Sequence, residues 1–333
     1  MKTLLVWTGE DDTALCAALA GVPGLVLRRA SSAADAAAAM PSADAMVTSV
    51  IPWNAALAAA LRAAPRLGWM QVLNAGYDNL EALGLPARLR LSTLGALGSG
   101  AIAEHALTLL LGLYRALPRS QAAAQREQWD TGRLRGLIAP LAGSTVAIVG
   151  YGPIGQAVAR LLRAFGAAAV AVAQRARTED GVAVRPYAEL HAVLATADGV
   201  VVCAPLKPAT TRLFDAAAFA AMRPGARLVN ISRGAIVDTD ALCAALDSGR
   251  LGGAGLDVTE PEPLPPGHAL WHHPAVLLTP HVAWAGRRAE EQQQRTEFVV
   301  ANATRFATGE VPRGLVSFTS SDPESDASCV SSH

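Results

Sequence analysis

The chain has 333 residues, 51% of them hydrophobic and 5% aromatic, and its 28 Lys and Arg residues balance 28 Asp and Glu residues. This length suggests two domains, and the charge balance does not indicate a nucleic-acid partner or an anionic membrane surface. The four cysteines lie far apart without a C-x-x-C pair, which argues against a disulfide framework and against a zinc site, so no metal is expected.

The first hundred residues alternate apolar runs with alanine-rich helical patterns. They predict strands at 2–7, 45–50 and 69–73, with helices near 13–20 and 54–64. Such alternation favours a small domain built on a parallel sheet. The opening apolar run is too short for a secretory signal, and no stretch is long enough to span a bilayer. We therefore expect a cytoplasmic protein with no membrane partner.

A long helix is predicted near 101–117, and a connecting segment at 121–141. A strand, a glycine turn and an amphipathic helix follow at 145–166. The turn has the G-x-G-x-x-G spacing, which alone is a weak signal but between a strand and a helix predicts a dinucleotide site. The residues expected to bind the dinucleotide there are Gly150, Gly152, Pro153, Ile154 and Gly155.

A second series of alternating elements continues from this turn. Strands are predicted at 168–173, 199–204, 227–231, 253–258 and 275–279, with helices at 188–194, 215–222, 239–248 and 286–307. The sequence therefore predicts an α/β fold of two domains, each with a parallel sheet flanked by helices. A Rossmann-type cofactor domain (101–284) is inserted into a flavodoxin-like substrate domain (1–100 and 285–316), and the polar tail 317–333 is predicted to be disordered.

The residues after the strand at 168–173 bear on the choice of cofactor. An acid there would hold the ribose 2′-hydroxyl of NAD(H), but the chain has Gln174, Arg175 and Arg177. Guanidinium groups in place of a carboxylate suit a 2′-phosphate, so NADP(H) is favoured and NAD(H) remains open. The alternative is that both arginines are ordinary surface residues.

Three polar residues follow separate strands of the second domain: Arg233, Glu262 and His281. Ligands bind at the carboxyl ends of strands in open α/β sheets. Together the three make a hydride-transfer set, in which the histidine moves a proton, the carboxylate orients it and the arginine holds a substrate carboxylate. Taken singly, Arg233 can be explained as a surface charge, Glu262 as a loop residue and His281 as a turn residue. Three other histidines lie in a loop and are expected to be structural or solvent-facing: His268, His272 and His273.

Several motifs in order resemble the family of D-isomer-specific 2-hydroxyacid dehydrogenases, and more closely its glyoxylate/hydroxypyruvate reductase branch. They include NAGYDNL, AIAEHALTLLLGLYR, the glycine turn, CAPLKPATTRLF, MRPGARLVNISRGAIVDTDAL, GLDVTEPEPLP and TPHVAWAG, within about residues 65–312. The intervals also agree, because Glu262 lies 29 residues after Arg233 and His281 lies 19 residues after Glu262. These intervals place Glu262, rather than Glu260, at the position of the family's catalytic carboxylate.

The resemblance implies a role for each matching position. The catalytic residues would be Arg233, Glu262 and His281, and the substrate contacts Ala75, Gly76, Arg233 and Trp284. Beyond the glycine turn, the cofactor contacts would be Gln174, Arg175, Arg177, Ala204, Pro205, Thr210, Ile231, Ser232, Asp257 and His281. Asp257 matches the position that contacts the nicotinamide carboxamide.

The resemblance further implies reduction of glyoxylate, hydroxypyruvate or a similar 2-keto acid by a homodimer formed through the cofactor domain and the helix near 101–117. Tyr77 departs from the family pattern, which usually has a small aliphatic residue there, so its side chain is expected to enter or abut the pocket. Trp53 could also line the site, but a place in the core is favoured for it. A different class of function remains open: a co-regulator or nucleotide-sensing interaction protein without physiological turnover.

Overall fold

The structure is a computed structural model and describes residues 1–50, 53–284, 286 and 288–318. Most of the predicted disordered tail, residues 319–333, lies outside the described residues. The chain divides into two compact units, the first made of Met1–Leu97 with Gly286–His333 and the second of Gly98–Ala285. The assignment of the first to substrate and of the second to cofactor stays a prediction.

The elements alternate along the chain as the sequence predicts. The strands are β1 Lys2–Trp7, β2 Leu25–Arg29, β3 Ala45–Thr48, β4 Trp69–Val72, β5 Arg90–Ser92, β6 Thr145–Val149, β7 Ala168–Ala173, β8 Arg177–Glu179, β9 Val182–Pro186, β10 Gly199–Val202, β11 Ala226–Asn230, β12 Leu251–Leu256, β13 Val276–Leu278 and β14 Leu315–Val316. The helices are α1 Thr13–Ala20, α2 Ala33–Ala39, α3 Ala55–Arg62, α4 Asp78–Ala82, α5 Ser99–Tyr114, α6 Leu117–Ala124, α7 Thr131–Arg135, α8 Pro153–Ala164, α9 Leu190–Leu194, α10 Ala216–Ala221, α11 Thr239–Asp247 and α12 Ala289–Thr308.

The first unit is built on the sheet β14-β5-β4-β3-β1-β2. Its first five strands are parallel in the flavodoxin-like order 2-1-3-4-5, and β14 adds an antiparallel edge. The last long helix belongs to this unit, because buried Asn302 donates a hydrogen bond to Gln71 Oε1 at 2.8 Å. The chain thus returns at its end to the sheet with which it began.

The second unit is built on the sheet β13-β12-β11-β10-β6-β7-β9-β8, parallel except for the antiparallel pair β8 and β9. β6 lies next to both β7 and β10, so the direction of winding reverses there, as in a Rossmann fold. Apolar clusters cover both faces of the sheet, and α5 and α8 pack on one of them. The predicted α/β fold, with two mostly parallel sheets and a Rossmann domain, is confirmed.

One helical prediction was wrong. The helix expected at 101–117 ends at Tyr114, and Ala116 adopts a left-handed φ of 53°. A new helix, α6, then begins with Pro118 in its first turn, where a missing N–H is tolerated. The predicted connecting segment at 121–141 therefore contains the second half of α6 and all of α7. None of the helices in the described part of the chain is both long and apolar enough to cross a bilayer.

Candidate active site

The glycine turn connects β6 to α8 at the point where the winding reverses. Gly150 has a φ of 99°, and a Cβ there would overlap the backbone of Ala204. A Cβ on Gly155 would overlap the carbonyl oxygen of Gly150, so both positions require glycine. At Gly152, by contrast, a Cβ would meet nothing within 4 Å. This open space beside the α8 N-terminus, whose first amides lack helical acceptors, fits a dinucleotide pyrophosphate.

The residues that follow β7 lie in a short exposed connection to β8. Gln174 and Arg175 are exposed. The Arg177 guanidinium donates hydrogen bonds to Glu179 Oε2 at 2.7 Å and to the Tyr151 carbonyl oxygen at 2.9 Å. Arg177 is therefore tied to the glycine turn and partly neutralised by Glu179. An acid does occur in this region, at the far end of β8.

The loop after β10 closes against the glycine turn. Ala204 is fully buried, and the buried Thr210 hydroxyl donates to the Pro205 carbonyl oxygen at 2.7 Å. The Lys207 amide donates to the same hydroxyl at 2.8 Å, so Thr210 shapes its own loop. Burial raises the pKa of the neighbouring Cys203 thiol to about 12. Cys203 is thus a neutral packing residue at neutral pH.

Arg233 is held by the residues at the end of β11. The buried Asn230 side chain donates to the Arg233 carbonyl oxygen at 2.9 Å and accepts from the Ser232 amide at 3.1 Å. The Ser232 hydroxyl in turn donates to the Ala204 carbonyl oxygen, and Ile231 is buried in the core. Asn230 was not among the residues predicted from the sequence, although a polar residue at the end of an apolar strand was the available signal.

The structure brings Glu262 and His281 into direct contact. Glu262 Oε1 and His281 Nδ1 are 2.6 Å apart, and the two side chains are 40% and 50% exposed. Arg233, Glu262 and His281 follow β11, β12 and β13, which pair in parallel, so all three leave the sheet at its carboxyl edge. The glycine turn after β6 leaves the same edge.

Asp257 lies under the segment that carries His281. Its carboxylate accepts hydrogen bonds from the Thr279 hydroxyl at 2.6 Å and from the Val282 and Ala283 amides at 2.9 and 3.1 Å. The His105 Nε2 on α5 is 3.3 Å from Asp257 Oδ1. His105 and Thr279 were not among the residues predicted from the sequence, although they lie in the motifs AIAEHALTLLLGLYR and TPHVAWAG.

Trp284 packs at the start of α5. Its ring lies so close to Gly98, which has a φ of 78°, that a Cβ there would be 2.5 Å from Trp284 Cδ2. The half-buried indole also packs against the apolar cluster around α5 and α8. Its contact with substrate stays a prediction.

In the first unit, Ala75 and Gly76 follow β4 and are half-buried. Among the described residues, neither backbone amide meets a hydrogen-bond acceptor. Tyr77 packs against the core of this unit and donates its hydroxyl to the Ser317 carbonyl oxygen at 3.0 Å. Trp53 is buried and donates to Thr48 Oγ1 at 3.0 Å, as expected of a core residue.

The competing histidines have local partners. His268 and His273 accept from backbone amides two residues further along through Nδ1, and His272 is exposed. Burial lowers the pKa of His273, which favours its neutral form. In the described part of the chain, no three His, Cys, Asp or Glu side chains cluster as metal ligands would.

Comparison with known proteins identifies the family. Residues 107–283, more than half of the chain, match the model of the D-isomer specific 2-hydroxyacid dehydrogenase NAD-binding domain. The chain belongs to this family. As a D-2-hydroxyacid dehydrogenase it is an oxidoreductase with an NAD(P)-binding domain that acts on a small 2-hydroxy or 2-keto acid.

Two curated relatives differ in substrate. A glyoxylate reductase from Thermococcus litoralis is 33% identical to this dehydrogenase over 273 residues, covering 79% of the chain and 82% of the relative. A D-3-phosphoglycerate dehydrogenase from Mycobacterium tuberculosis is 35% identical over 275 residues, covering 81% of the chain but 50% of the relative. The chain thus spans half the length of that second enzyme.

Solved structures of similar architecture include cofactor complexes. An NADPH-dependent glyoxylate/hydroxypyruvate reductase from Sinorhizobium meliloti, in complex with NADP and sulfate, has a TM-score of 0.80 and 29% identity, over 95% of this chain and 98% of that chain. A D-isomer specific 2-hydroxyacid dehydrogenase from Xanthobacter autotrophicus, in complex with NADPH and MES, has a TM-score of 0.79 and 28% identity, with the same coverage.

Proposed function

We propose that this dehydrogenase reduces a small 2-keto acid, glyoxylate, hydroxypyruvate or a close analogue, to the D-hydroxy acid with NADPH as the preferred cofactor. The observation that carries the proposal is the 2.6 Å contact between Glu262 and His281 at the sheet edge that also bears the glycine turn. The names of the Thermococcus and Sinorhizobium proteins support this choice of substrate.

The proposed chemistry assigns one task to each residue. Glu262 occupies His281 Nδ1, which leaves Nε2 to donate a proton to the oxygen that forms as the keto carbon is reduced. A bound nicotinamide dinucleotide supplies the hydride. The Arg233 guanidinium is proposed to bind the substrate carboxylate and to stabilise charge on the carbonyl oxygen.

Three further residues are proposed to bind substrate. Ala75 and Gly76 have backbone amides without acceptors among the described residues, and such amides bind a carboxylate well. The Trp284 indole offers an apolar surface beside Gly98 at the start of α5. Tyr77 is proposed to support the Ala75–Gly76 turn through Ser317, because its hydroxyl is already engaged there.

The preference for NADPH is proposed from the exposed connection after β7. Arg175 is exposed and no carboxylate stands in the connection between β7 and β8, so a 2′-phosphate would meet positive charge there. Gln174 and Arg177 are proposed to line the same site, with the Arg177 charge reduced by its 2.7 Å contact to Glu179. We further propose that Ala204, Pro205, Thr210, Ile231, Ser232 and Asp257 line the cofactor site.

We also propose a homodimer formed through the second unit. Large apolar side chains are exposed along the α6–α7 segment, with Trp129 96% exposed and Leu117 53% exposed. Aromatic side chains such as Trp129 are enriched in protein–protein interfaces. A second copy of the chain is the proposed partner.

The deciding experiment measures NADPH and NADH oxidation by the purified protein with glyoxylate, hydroxypyruvate and phenylpyruvate. We expect the highest kcat/KM for one of the two small acids with NADPH. If none of the acids supports oxidation with either cofactor while the protein still binds the dinucleotide, the reductase proposal fails and a nucleotide-sensing protein becomes the better explanation. If NADH is used as well as NADPH, only the cofactor preference fails.

A further inference from the structure

The backbone of His281 adopts an unusual conformation. Its φ is 54°, in the left-handed region that only a few per cent of non-glycine residues occupy, with Asn, Asp and His over-represented among them. Such a conformation persists only where surrounding contacts determine it, and it often accompanies a functional role. The contacts that hold this backbone therefore also determine where the imidazole lies.

Asp257 provides most of those contacts. The His281 amide donates to the Asp257 carbonyl oxygen at 2.8 Å and to the Thr279 carbonyl oxygen at 3.0 Å. The next two amides, of Val282 and Ala283, donate to the two oxygens of the Asp257 carboxylate. Asp257 is only 2% exposed, so little water competes with these amides for its carboxylate oxygens.

A side chain on α5 completes the arrangement. The Thr279 hydroxyl has one proton, which it donates to Asp257 Oδ1 at 2.6 Å. Its 2.9 Å contact with His105 Nε2 must then use the hydroxyl oxygen as acceptor, so His105 carries a proton on Nε2. A directed series of hydrogen bonds thus runs from α5 to the residues on both sides of His281.

We propose that His105 and Thr279 are positioning residues that act through Asp257 to hold the His281 backbone where its imidazole meets Glu262. This role rests on the proposed function for its effect on turnover. It is separate from the predicted contact of Asp257 with the nicotinamide carboxamide, because Oδ1 already accepts from Thr279 and Val282. The role needs neither cofactor nor substrate.

The first test compares matched variants. Thr279→Val removes the hydroxyl at nearly constant volume, whereas Thr279→Ser keeps it. Likewise His105→Leu removes the donor, and His105→Gln can restore an N–H near the position of Nε2. We expect Thr279→Val and His105→Leu to lower kcat by about 10- to 100-fold with KM for NADPH changed less than about twofold, and the Ser and Gln variants to recover most of the loss.

The second test is independent of turnover. Amide hydrogen exchange in the protein without cofactor should accelerate by roughly tenfold at residues 281–283 in Thr279→Val and remain near the original rate in Thr279→Ser. Unchanged exchange in both Thr279→Val and His105→Leu would overturn the proposal. If the original protein reduces no keto acid, the proposed function fails, and this measurement still decides the positioning role.

A double-mutant cycle separates positioning from general damage. In a His281→Ala background the residual activity should be insensitive to Thr279→Val, because the group that is positioned has been removed. An equal fractional loss in both backgrounds would contradict the proposal. Thermal unfolding of every variant is measured in parallel. If Thr279→Val does not fold, the comparison of His105→Leu with His105→Gln, in turnover and in amide exchange, decides between the outcomes.

Discussion

The 2.6 Å contact between Glu262 Oε1 and His281 Nδ1 defines the chemistry available at the scale of residues. An imidazole has two nitrogens, and a carboxylate at one of them fixes the ring orientation and leaves the other for proton transfer. Both side chains remain substantially exposed, so they are accessible to a substrate. Two other histidines of the same unit lie farther from a carboxylate, with His105 Nε2 3.3 Å from Asp257 Oδ1 and His273 Nε2 3.7 Å from Asp247 Oδ1.

Removal of the imidazole is expected to abolish the proton transfer selectively. His281→Ala should lower kcat by about 10²- to 10⁴-fold, since a positioned general acid contributes about that much. The dissociation constant for NADPH, measured by fluorescence titration, should change little. His272→Ala, at an exposed histidine in the same unit, is the matched control and should retain activity. Full turnover in His281→Ala would exclude it as the acid.

Arg175 is expected to discriminate between the two cofactors. Arg175→Ala should raise KM for NADPH by about 10-fold or more, because a hydrogen bond to a charged group contributes about 1.5–3 kcal/mol, and should leave KM for NADH unchanged. Arg90→Ala, an exposed arginine on β5 of the first unit, serves as the control. An equal change in KM for both cofactors would contradict a role in binding the 2′-phosphate.

At the scale of elements, the β6–α8 connection shows two different reasons for glycine. Gly155 is required by packing, since a Cβ would overlap the Gly150 carbonyl oxygen. Gly152 has a φ of −94° and open space around its Cα, so the fold itself tolerates a side chain there. Substitutions at the two positions can therefore separate an effect on stability from the proposed effect on cofactor binding.

This difference predicts opposite outcomes for one substitution. Gly155→Ala should destabilise the protein by about 3 kcal/mol and lower Tm by roughly 6–12 °C, because backbone must move. Gly152→Ala should change Tm by less than about 2 °C in the absence of cofactor but weaken NADPH binding by about 10-fold or more, since the methyl group fills space proposed for the pyrophosphate. Differential scanning calorimetry and titration measure the two effects. A large loss of Tm in Gly152→Ala would refute the separation.

At the scale of the whole molecule, the exposed Trp129 lies in the region 121–141, which was predicted from the sequence to be a connecting segment. Its helices begin after the left-handed residue Ala116. Trp129 follows in the loop before α7 and is 96% exposed. A side chain of this size left in water is costly, which is why a second copy of the chain is the proposed partner.

Multi-angle light scattering should therefore give twice the chain mass for the original protein. Trp129→Asp should shift the equilibrium toward single chains, with a dimer dissociation constant raised by about 100-fold, as for a buried aromatic at an interface. Trp271→Asp, at a tryptophan that is 49% exposed in the same unit, provides the control and should leave the mass unchanged. A single-chain mass for the original protein would refute the homodimer.

The sequence by itself determined those features that depend on local order along the chain. Apolar runs, glycine spacing and helical stripes identified the central strands and the β6–α8 turn, because strands buried on both faces and tight turns restrict residue type strongly. The order and spacing of the motifs identified the family and selected Glu262 over Glu260. The edge strands β2, β8 and β14 were missed, since they are short or partly exposed and carry little periodic signal.

Only the tertiary structure decided which distant side chains meet. His105 and Thr279 are 174 residues apart, and Asn302 and Gln71 are 231 apart, yet each pair is joined by a hydrogen bond. No periodicity encodes such a pair, because the packing of whole elements brings its two members together. The left-handed backbone conformation of His281 likewise depends on tertiary packing. Contacts from α5, β12 and the segment after β13 impose it, and none of them lies next to another in the chain.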